Sequence, residues 1–208
     1  MTRAARDEVL ARVAQASARA RSGLSVPRSY RRRGALDFEQ RVELFCQRAG
    51  EYRAEVLRVH DSGIAAACGA ICAAQAARRI VLPPGLPHTW RPPNVEQLDD
   101  GLSVDQLDAA DGALTGSTVA IAETGTIVLT AGPCEGRRAI TLVPDLHICV
   151  VIESQIVELV PEAFELIARE HLERRPITLI SGPSATSDIE LSRVEGVHGP
   201  RRLEVLLV

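Results

Sequence analysis

Short apolar runs alternate with polar, glycine- or proline-containing segments along most of the chain. Runs of strand length lie at residues 55–59, 79–82, 111–115, 120–122, 126–130, 139–143, 148–152, 177–180 and 203–208. Segments with helical spacing or helix-start residues lie at 37–50, 62–77, 104–110 and 161–171. Because strands that alternate with helices form parallel sheets covered by helices, this pattern predicts an α/β fold with a mostly parallel sheet flanked by helices.

The first part of the chain differs in both pattern and charge. Residues 3–21 predict a short amphipathic helix, and the glycine, proline and arginine residues of 22–36 indicate a linker. Residues 1–36 carry a net charge of +7, whereas the remainder carries −10. We predict a basic helix and linker over 1–36 and an α/β domain over 37–208. The arm could dock on an acidic partner or be solvated, and a single aromatic residue, Tyr30, does not favour nucleic-acid binding.

The composition excludes several classes of function. The chain contains no lysine, which excludes a lysine Schiff base with pyridoxal phosphate and a P-loop. Five cysteines occur without a CxxC pair, so we expect no zinc ion or iron–sulfur cluster held by this chain. No apolar run approaches the roughly 20 residues of a membrane span, and the N-terminal sequence lacks the apolar stretch of a signal peptide. We therefore expect a cytoplasmic protein without a membrane span.

Three glycine-containing loops could hold chemistry, and the first is residues 120–129, AIAETGTIVL. Glu123 lies between two strand-like segments and precedes Thr124 and Gly125. Its carboxylate could act as a nucleophile or base beside hydroxyl donors, since glycine permits close approach of a ligand. The alternative is a β-hairpin turn with a solvent-facing glutamate, and spacing alone leaves both open.

The second loop is residues 180–190, ISGPSATSDIE. Ser187 and Glu190 have the spacing of a capping box, which predicts that a helix starts here. Backbone amides at such a start could hold an anion together with the Ser184 hydroxyl, and Asp188 could orient a base or pair with an arginine. A capped helix without a ligand is the alternative.

The third loop begins the segment 196–208, GVHGPRRLEVLLV. His198 precedes a Gly-Pro pair, and its near-neutral pKa would suit proton transfer, although a structural hydrogen bond is an equal alternative. His147 lies in an apolar strand and is expected to be structural. Because ligands in open α/β sheets bind at the carboxyl ends of strands, we expect the three loops at such an end.

Four segments in order, DGALTGSTVAIAETGTIVL, LVPDLHICVV, ISGPSATSDIE and GVHGPRRLEVLLV, resemble the LUD domain family. The resemblance covers about residues 111–208, while residues 37–110 agree only in their α/β rhythm. It implies the fold of the ribose-5-phosphate isomerase, glucosamine-phosphate deaminase and CoA-transferase superfamily. It also implies a role in oxidising L-lactate to pyruvate with two iron–sulfur partner proteins, which would hold the clusters.

The candidate site combines the three loops. We predict catalytic roles for Glu123, Asp188 and His198. The predicted ligand-binding residues are Thr124, Gly125, Ser181, Gly182, Ser184 and Arg201, and no metal ligands are predicted. An arginine such as Arg137 or Arg201 would bind a small carboxylate through its guanidinium fork.

Three functions remain open at this point, and whether the chain is an enzyme is one of the open questions. The first is a subunit of an iron–sulfur lactate-utilisation system that binds a small carboxylate. The second is an independent acyl- or CoA-transfer enzyme with Glu123 as nucleophile, since CoA-transferases of the superfamily use a glutamate before a glycine-containing turn. The third is a scaffold that docks through the basic arm. Self-association is compatible with the Ala-rich helices, and a shared fold does not establish any of these functions.

Overall fold

The computed structural model describes residues 3–18, 27, 29–183 and 199–208. The chain divides into two compact units, residues 1–30 and 31–208. The first unit contains helix α1 (Arg3–Ala18), whose apolar residues Val9, Leu10 and Val13 are exposed. The predicted helix therefore forms.

The second unit is built around a larger sheet, sheet A, whose six strands are all parallel in the order β1-β10-β7-β4-β2-β3. The strands are β1 (Glu55–Arg58), β2 (Arg79–Leu82), β3 (Glu96–Asp99), β4 (Gly112–Thr115), β7 (Leu146–Val151) and β10 (Arg202–Leu207). All six residues of β7 are buried, as expected of a central strand covered on both faces. The predicted α/β fold with a mostly parallel sheet is confirmed.

A smaller sheet, sheet B, has the strand order β8-β5-β6-β9. Its strands are β5 (Val119–Ile121), β6 (Thr126–Leu129), β8 (Ile156–Val157) and β9 (Thr178–Ile180). β5 and β6 form an antiparallel hairpin, β8 pairs parallel with β5, and β9 pairs antiparallel with β6. The carboxyl ends of β5, β8 and β9 therefore lie at one edge of sheet B, together with the start of β6.

In the described part of the second unit, four α-helices accompany the sheets: α2 (Phe38–Glu51), α3 (Ile64–Ala74), α4 (Val104–Asp108) and α5 (Val160–Arg169). The helix expected over 37–50 forms as α2. Asp37 caps it, because its side chain accepts a hydrogen bond from the Gln40 amide while the Gln40 side chain accepts from the Asp37 amide. Within the described part of the chain, no helix is both long and apolar enough to cross a bilayer.

Successive residues of a strand point to opposite faces of the sheet, so the core is divided into layers. One cluster joins Phe45 of α2 to Ile127 of sheet B and Val205 of sheet A, so sheet B and α2 cover one face of sheet A. The other face of sheet A packs on α3 through Cys68 and Ile148. Helix α5 covers the outer face of sheet B. Burying one large side chain such as Phe45 stabilises the fold by about 1.5–3 kcal/mol.

Two sequence expectations about local structure are wrong. Residues 139–143 were expected to form a strand, but Arg138–Thr141 form a 3₁₀ turn. The Arg138 guanidinium donates to the Thr141 carbonyl and hydroxyl oxygens, which closes this turn. β3 is absent from the predicted strands. Its side chains are mostly exposed because it lies at the edge of sheet A, so it lacks an apolar pattern.

Candidate functional site

Glu123 occupies the hairpin turn that joins β5 to β6, at the edge of sheet B where the carboxyl ends of β5, β8 and β9 lie. Gly125 follows with φ +59°, and a Cβ atom there would lie 2.5 Å from the Ala49 nitrogen at the end of α2. Glycine is required at this position because both the positive φ and the close backbone approach exclude a larger residue.

A row of hydroxyl groups connects this turn to the end of β9. The Oγ1 atoms of Thr124 and Thr126 lie 2.7 Å apart, and Thr126 Oγ1 lies 2.7 Å from Ser181 Oγ. Thr126 is buried, and its hydroxyl links the two loops through partly buried hydrogen bonds. The structure thus brings together four predicted site residues: Glu123, Thr124, Gly125 and Ser181.

The Glu123 carboxylate is paired with an arginine from a neighbouring segment, residues 31–36, which we call the strap. Arg31 forms an ion pair with Glu123, and its Nη1 lies 3.6 Å from Oε1 of the buried Glu158. The Leu36 amide donates to Glu158 Oε2 at 2.7 Å, and the Gly34 amide donates to Glu162 Oε1 at 3.2 Å. The strap therefore supplies positive charge and backbone donors to three carboxylates.

The loop after β9 leads from the hydroxyl row to a second polar region. Gly182 has φ +90° and its backbone packs against the Tyr52 carbonyl, so it too favours glycine. Pro183 is buried and lines a cavity of about 180 Å³. Arg201 lines the same cavity from the residue before β10, at the amino end of sheet A rather than the expected carboxyl end.

The walls of this cavity are charged. Three arginines, Arg53, Arg201 and Arg202, contribute to it together with two glutamates, Glu55 and Glu204. Cations outnumber anions around a small volume, and guanidinium groups match the geometry of carboxylates. The arrangement therefore suits a small anionic ligand.

A larger open groove of about 610 Å³ adjoins the cavity, because Arg201 and Arg202 line both. Asp145 also lines the groove, and its Oδ1 lies 3.3 Å from Arg201 Nε. Both side chains are well exposed. Such a surface ion pair is worth about 0–1 kcal/mol, so a ligand carboxylate could compete for Arg201 at little cost.

Arg137, the other arginine considered for carboxylate binding, is committed elsewhere. Its Nε lies 2.8 Å from Asp100 Oδ1 and 2.7 Å from the Asp100 carbonyl oxygen, and its Nη2 donates to the Leu102 carbonyl. These bonds hold the loop after β6 to the end of β3. Of the two arginines, the cavity geometry supports only Arg201.

Three predicted site residues, Ser184, Asp188 and His198, lie outside the described residues, as does the predicted helix start at Ser187. Their roles stay predictions. Among the residues that the structure describes, no group of three His, Cys, Asp or Glu side chains could hold a metal ion.

His147 lies buried in β7, as its apolar neighbours in the sequence suggested. Its Nε2 lies 2.8 Å from Thr115 Oγ1, while Nδ1 has no hydrogen-bond partner among the described residues. Burial, together with the charge of Arg138, lowers the pKa of His147 to about 3, so the ring is neutral near pH 7. A neutral buried ring fits a structural role.

Sequence reasoning missed Glu204, Glu55 and Arg202. Glu204 offers a signal, because a glutamate in the apolar run LEVLLV is unexpected in a strand buried on both faces. Burial raises the pKa of the Glu204 carboxyl and the Glu55 carboxylate raises it further, whereas Arg202 and a hydrogen bond from Gln75 lower it.

Comparison with known proteins places the chain in context. Residues 89–208 match the family model of the LUD domain. Lactate utilization protein C of Deinococcus radiodurans is 55% identical over 134 residues, which cover 64% of this chain and 63% of that protein. Lactate utilization protein C of Geobacillus sp. (strain WCH70) is 34% identical over 110 residues, 51% of this chain and 45% of that protein. The matched part of the chain thus spans 45–63% of the length of these two relatives.

A solved structure extends the comparison over most of the fold. The crystal structure of a DUF162 family protein from Deinococcus radiodurans matches with a TM-score of 0.73 and 40% sequence identity. The match covers 84% of this chain and 99% of that chain. The α/β architecture is therefore shared with a solved protein.

Proposed function

The chain belongs to the LUD domain family, and we propose that it acts in lactate utilisation as a subunit that binds a small carboxylate such as lactate or pyruvate. The observation that supports this role most is its 55% identity to a lactate utilization protein C. The cavity beside Arg201 is the described feature that best suits such a ligand.

The size and charge of the cavity argue for a small anion. A volume of about 180 Å³ is below the roughly 300–1,000 Å³ typical of pockets for drug-sized ligands, which favours a ligand of a few carbon atoms. Arg201 and Arg202 offer guanidinium donors, and charge-assisted hydrogen bonds from such groups are about twice as strong as neutral ones. Among the described residues, the Arg201 guanidinium pairs with Asp145 through Nε, at 3.3 Å.

We propose further that iron–sulfur partner proteins receive the electrons. Conversion of lactate to pyruvate breaks the bond between the α-carbon and its hydrogen and releases two electrons and two protons. The five cysteines of this chain include no CxxC pair, the usual spacing of cluster ligands. In this proposal the chain binds and orients the carboxylate while its partners accept the electrons.

The binding proposal can be tested by calorimetric titration of the protein with L-lactate and with pyruvate. We expect saturable binding that becomes at least about tenfold weaker in Arg201→Gln, since a charged hydrogen bond contributes about 1.5–3 kcal/mol. Arg169→Gln is the matched control, because Arg169 is an exposed arginine that forms an ion pair with its neighbour Glu170. Equal affinity in wild type and Arg201→Gln would contradict the assignment of the cavity.

The partner proposal needs a separate experiment. Tagged protein is recovered from native lysate, its iron content is measured, and lactate-dependent reduction of a dye is assayed. We expect iron–sulfur proteins to co-elute with lactate-dependent activity. An iron-free eluate without that activity would argue against the complex and for an independent small-molecule protein.

A further inference from the structure

Two carboxylates meet in the wall of the Arg201 cavity. Glu55 of β1 and Glu204 of β10 are direct partners in the parallel ladder, so their side chains leave the sheet on the same face. Both line the cavity. Glu204 is only 8% exposed, whereas Glu55 is exposed. A buried carboxylate beside a second one is costly to ionise, because burial and like charge both disfavour the anion.

The charged and polar groups that face Glu204 come from several elements. Glu55 approaches from β1, Arg202 from β10 itself, and Gln75 from the end of α3. The neighbouring strand β7 contributes Ile148, which is apolar. Arg201 lines the same cavity. The opposing influences do not cancel: burial and Glu55 outweigh Arg202 and Gln75, and the pKa of Glu204 is raised.

We propose that this cavity binds its carboxylate ligand together with one proton, which Glu204 takes up from solvent. The proposal rests on the proposed function, since it assumes that an anionic carboxylate enters beside Arg201. A third carboxylate close to Glu55 and Glu204 would be repelled by both. Protonation of Glu204 removes one of these charges. It also turns a carboxylate oxygen, which can only accept a hydrogen bond, into an O–H group that can donate one.

Binding of the ligand with uptake of a proton requires no redox partner. One proton moves from solvent to a Glu204 oxygen as one ligand anion enters, and no covalent bond in the ligand changes. The new O–H group can donate to a ligand oxygen, either of the carboxylate or of the α-carbon substituent. Arg201 and Arg202 bind the carboxylate itself. Glu204 in its protonated form therefore favours binding of the anionic ligand.

The sign of the pH dependence follows from linkage. Binding of an anion favours the protonated form of Glu204, so by reciprocity protonation of Glu204 favours binding of the anion. Affinity is fully developed below the pKa of Glu204 in the free protein and falls as the pH rises above it. One unit of difference in pKa between free and bound protein corresponds to about a tenfold change in affinity.

Calorimetric titration with pyruvate at a series of pH values tests the proposal, because pyruvate stays ionised at all of them. We expect affinity to fall as the pH rises through the pKa of Glu204, which lies above the ordinary carboxyl value, by about tenfold for each unit by which the ligand raises that pKa. The heat should depend on the ionisation enthalpy of the buffer because a proton is taken up. Glu204→Gln has nearly the same shape but does not titrate. It should bind pyruvate with little dependence on pH or buffer, and more tightly than wild type at pH values above the pKa of Glu204.

Glu55→Gln is a second variant that keeps the test decisive should Glu204→Gln fold poorly. It removes the charge that faces Glu204, so we expect proton uptake to persist while the pH at which affinity falls moves downward. Identical pH profiles in wild type and Glu204→Gln, or the absence of proton uptake by wild type, would overturn the inference alone. Failure of pyruvate and lactate to bind wild type at any pH would overturn the proposed function and the inference with it.

Discussion

The turn at Glu123 and the cavity at Arg201 are both charged, but they balance their charges differently. At the turn, Arg31 pairs with Glu123 and approaches Glu158, which also accepts a hydrogen bond from the strap. At the cavity, three arginines and two glutamates line the wall, and the Arg201 guanidinium makes a long, exposed pair with Asp145. The difference suggests that the turn is held together by contacts within the chain and that the cavity is arranged to receive an anion.

The largest expected effect is a loss of protein stability when the turn at Glu123 is altered. Gly125→Ala forces a side chain into positive φ and against the backbone of Ala49, so we expect a loss of about 3 kcal/mol in the free energy of unfolding. Chemical denaturation measures it. Gly50→Ala is the matched control, because a Cβ at Gly50 meets nothing within 4 Å. A loss below about 1 kcal/mol in Gly125→Ala would show that the turn is not tightly fixed.

A smaller loss is expected when the hydroxyl row is interrupted. Thr126→Val keeps the shape of the side chain but removes its hydrogen bonds to Thr124 and Ser181. We expect a decrease of about 1 kcal/mol in the free energy of unfolding, with the exposed Thr89→Val as control. If both variants unfold at the same denaturant concentration, the hydroxyl row contributes nothing to stability.

A change in the strap should have the smallest effect on stability, but a clear effect on the chemical reactivity of Glu123. Arg31→Gln removes an exposed cation, so stability should change by less than about 1 kcal/mol. Because the variant uncovers the Glu123 carboxylate, carbodiimide-promoted labelling of Glu123, quantified by peptide mass, should increase several-fold. The exposed Glu173 should label equally in both proteins and serves as internal control. Equal labelling of Glu123 in wild type and variant would show that the strap does not shield it.

Much of the fold could be predicted from the sequence because the apolar pattern is strong. β7 and β10 are largely apolar runs, and Asp37 with Gln40 forms a local cap, so neither the strands nor the cap depend on distant contacts for their recognition. β3 was missed because an edge strand with exposed polar side chains has no apolar pattern. The 3₁₀ turn at Arg138–Thr141 was missed because its apolar residues mimic a strand, while a side chain closes the turn.

The candidate site could be predicted only in part. Glycine and hydroxyl residues marked the loops at Glu123 and Ser181, and the structure brings these two loops into contact. The pairing of Arg31 with Glu123 joins residues 92 positions apart, and no local pattern indicates it. Glu55 and Glu204 become neighbours only through the register of β1 with β10, so their proximity depends on the assembled sheet.

A crystal structure of the protein with pyruvate would test most directly which of the two regions binds the ligand. We expect the pyruvate carboxylate to contact the Arg201 guanidinium in the cavity of about 180 Å³. A pyruvate oxygen should lie within hydrogen-bond distance of Glu204. Pyruvate bound instead beside Glu123, against the hydroxyls of Thr124 and Ser181 and with the Arg201 cavity empty, would contradict this expectation.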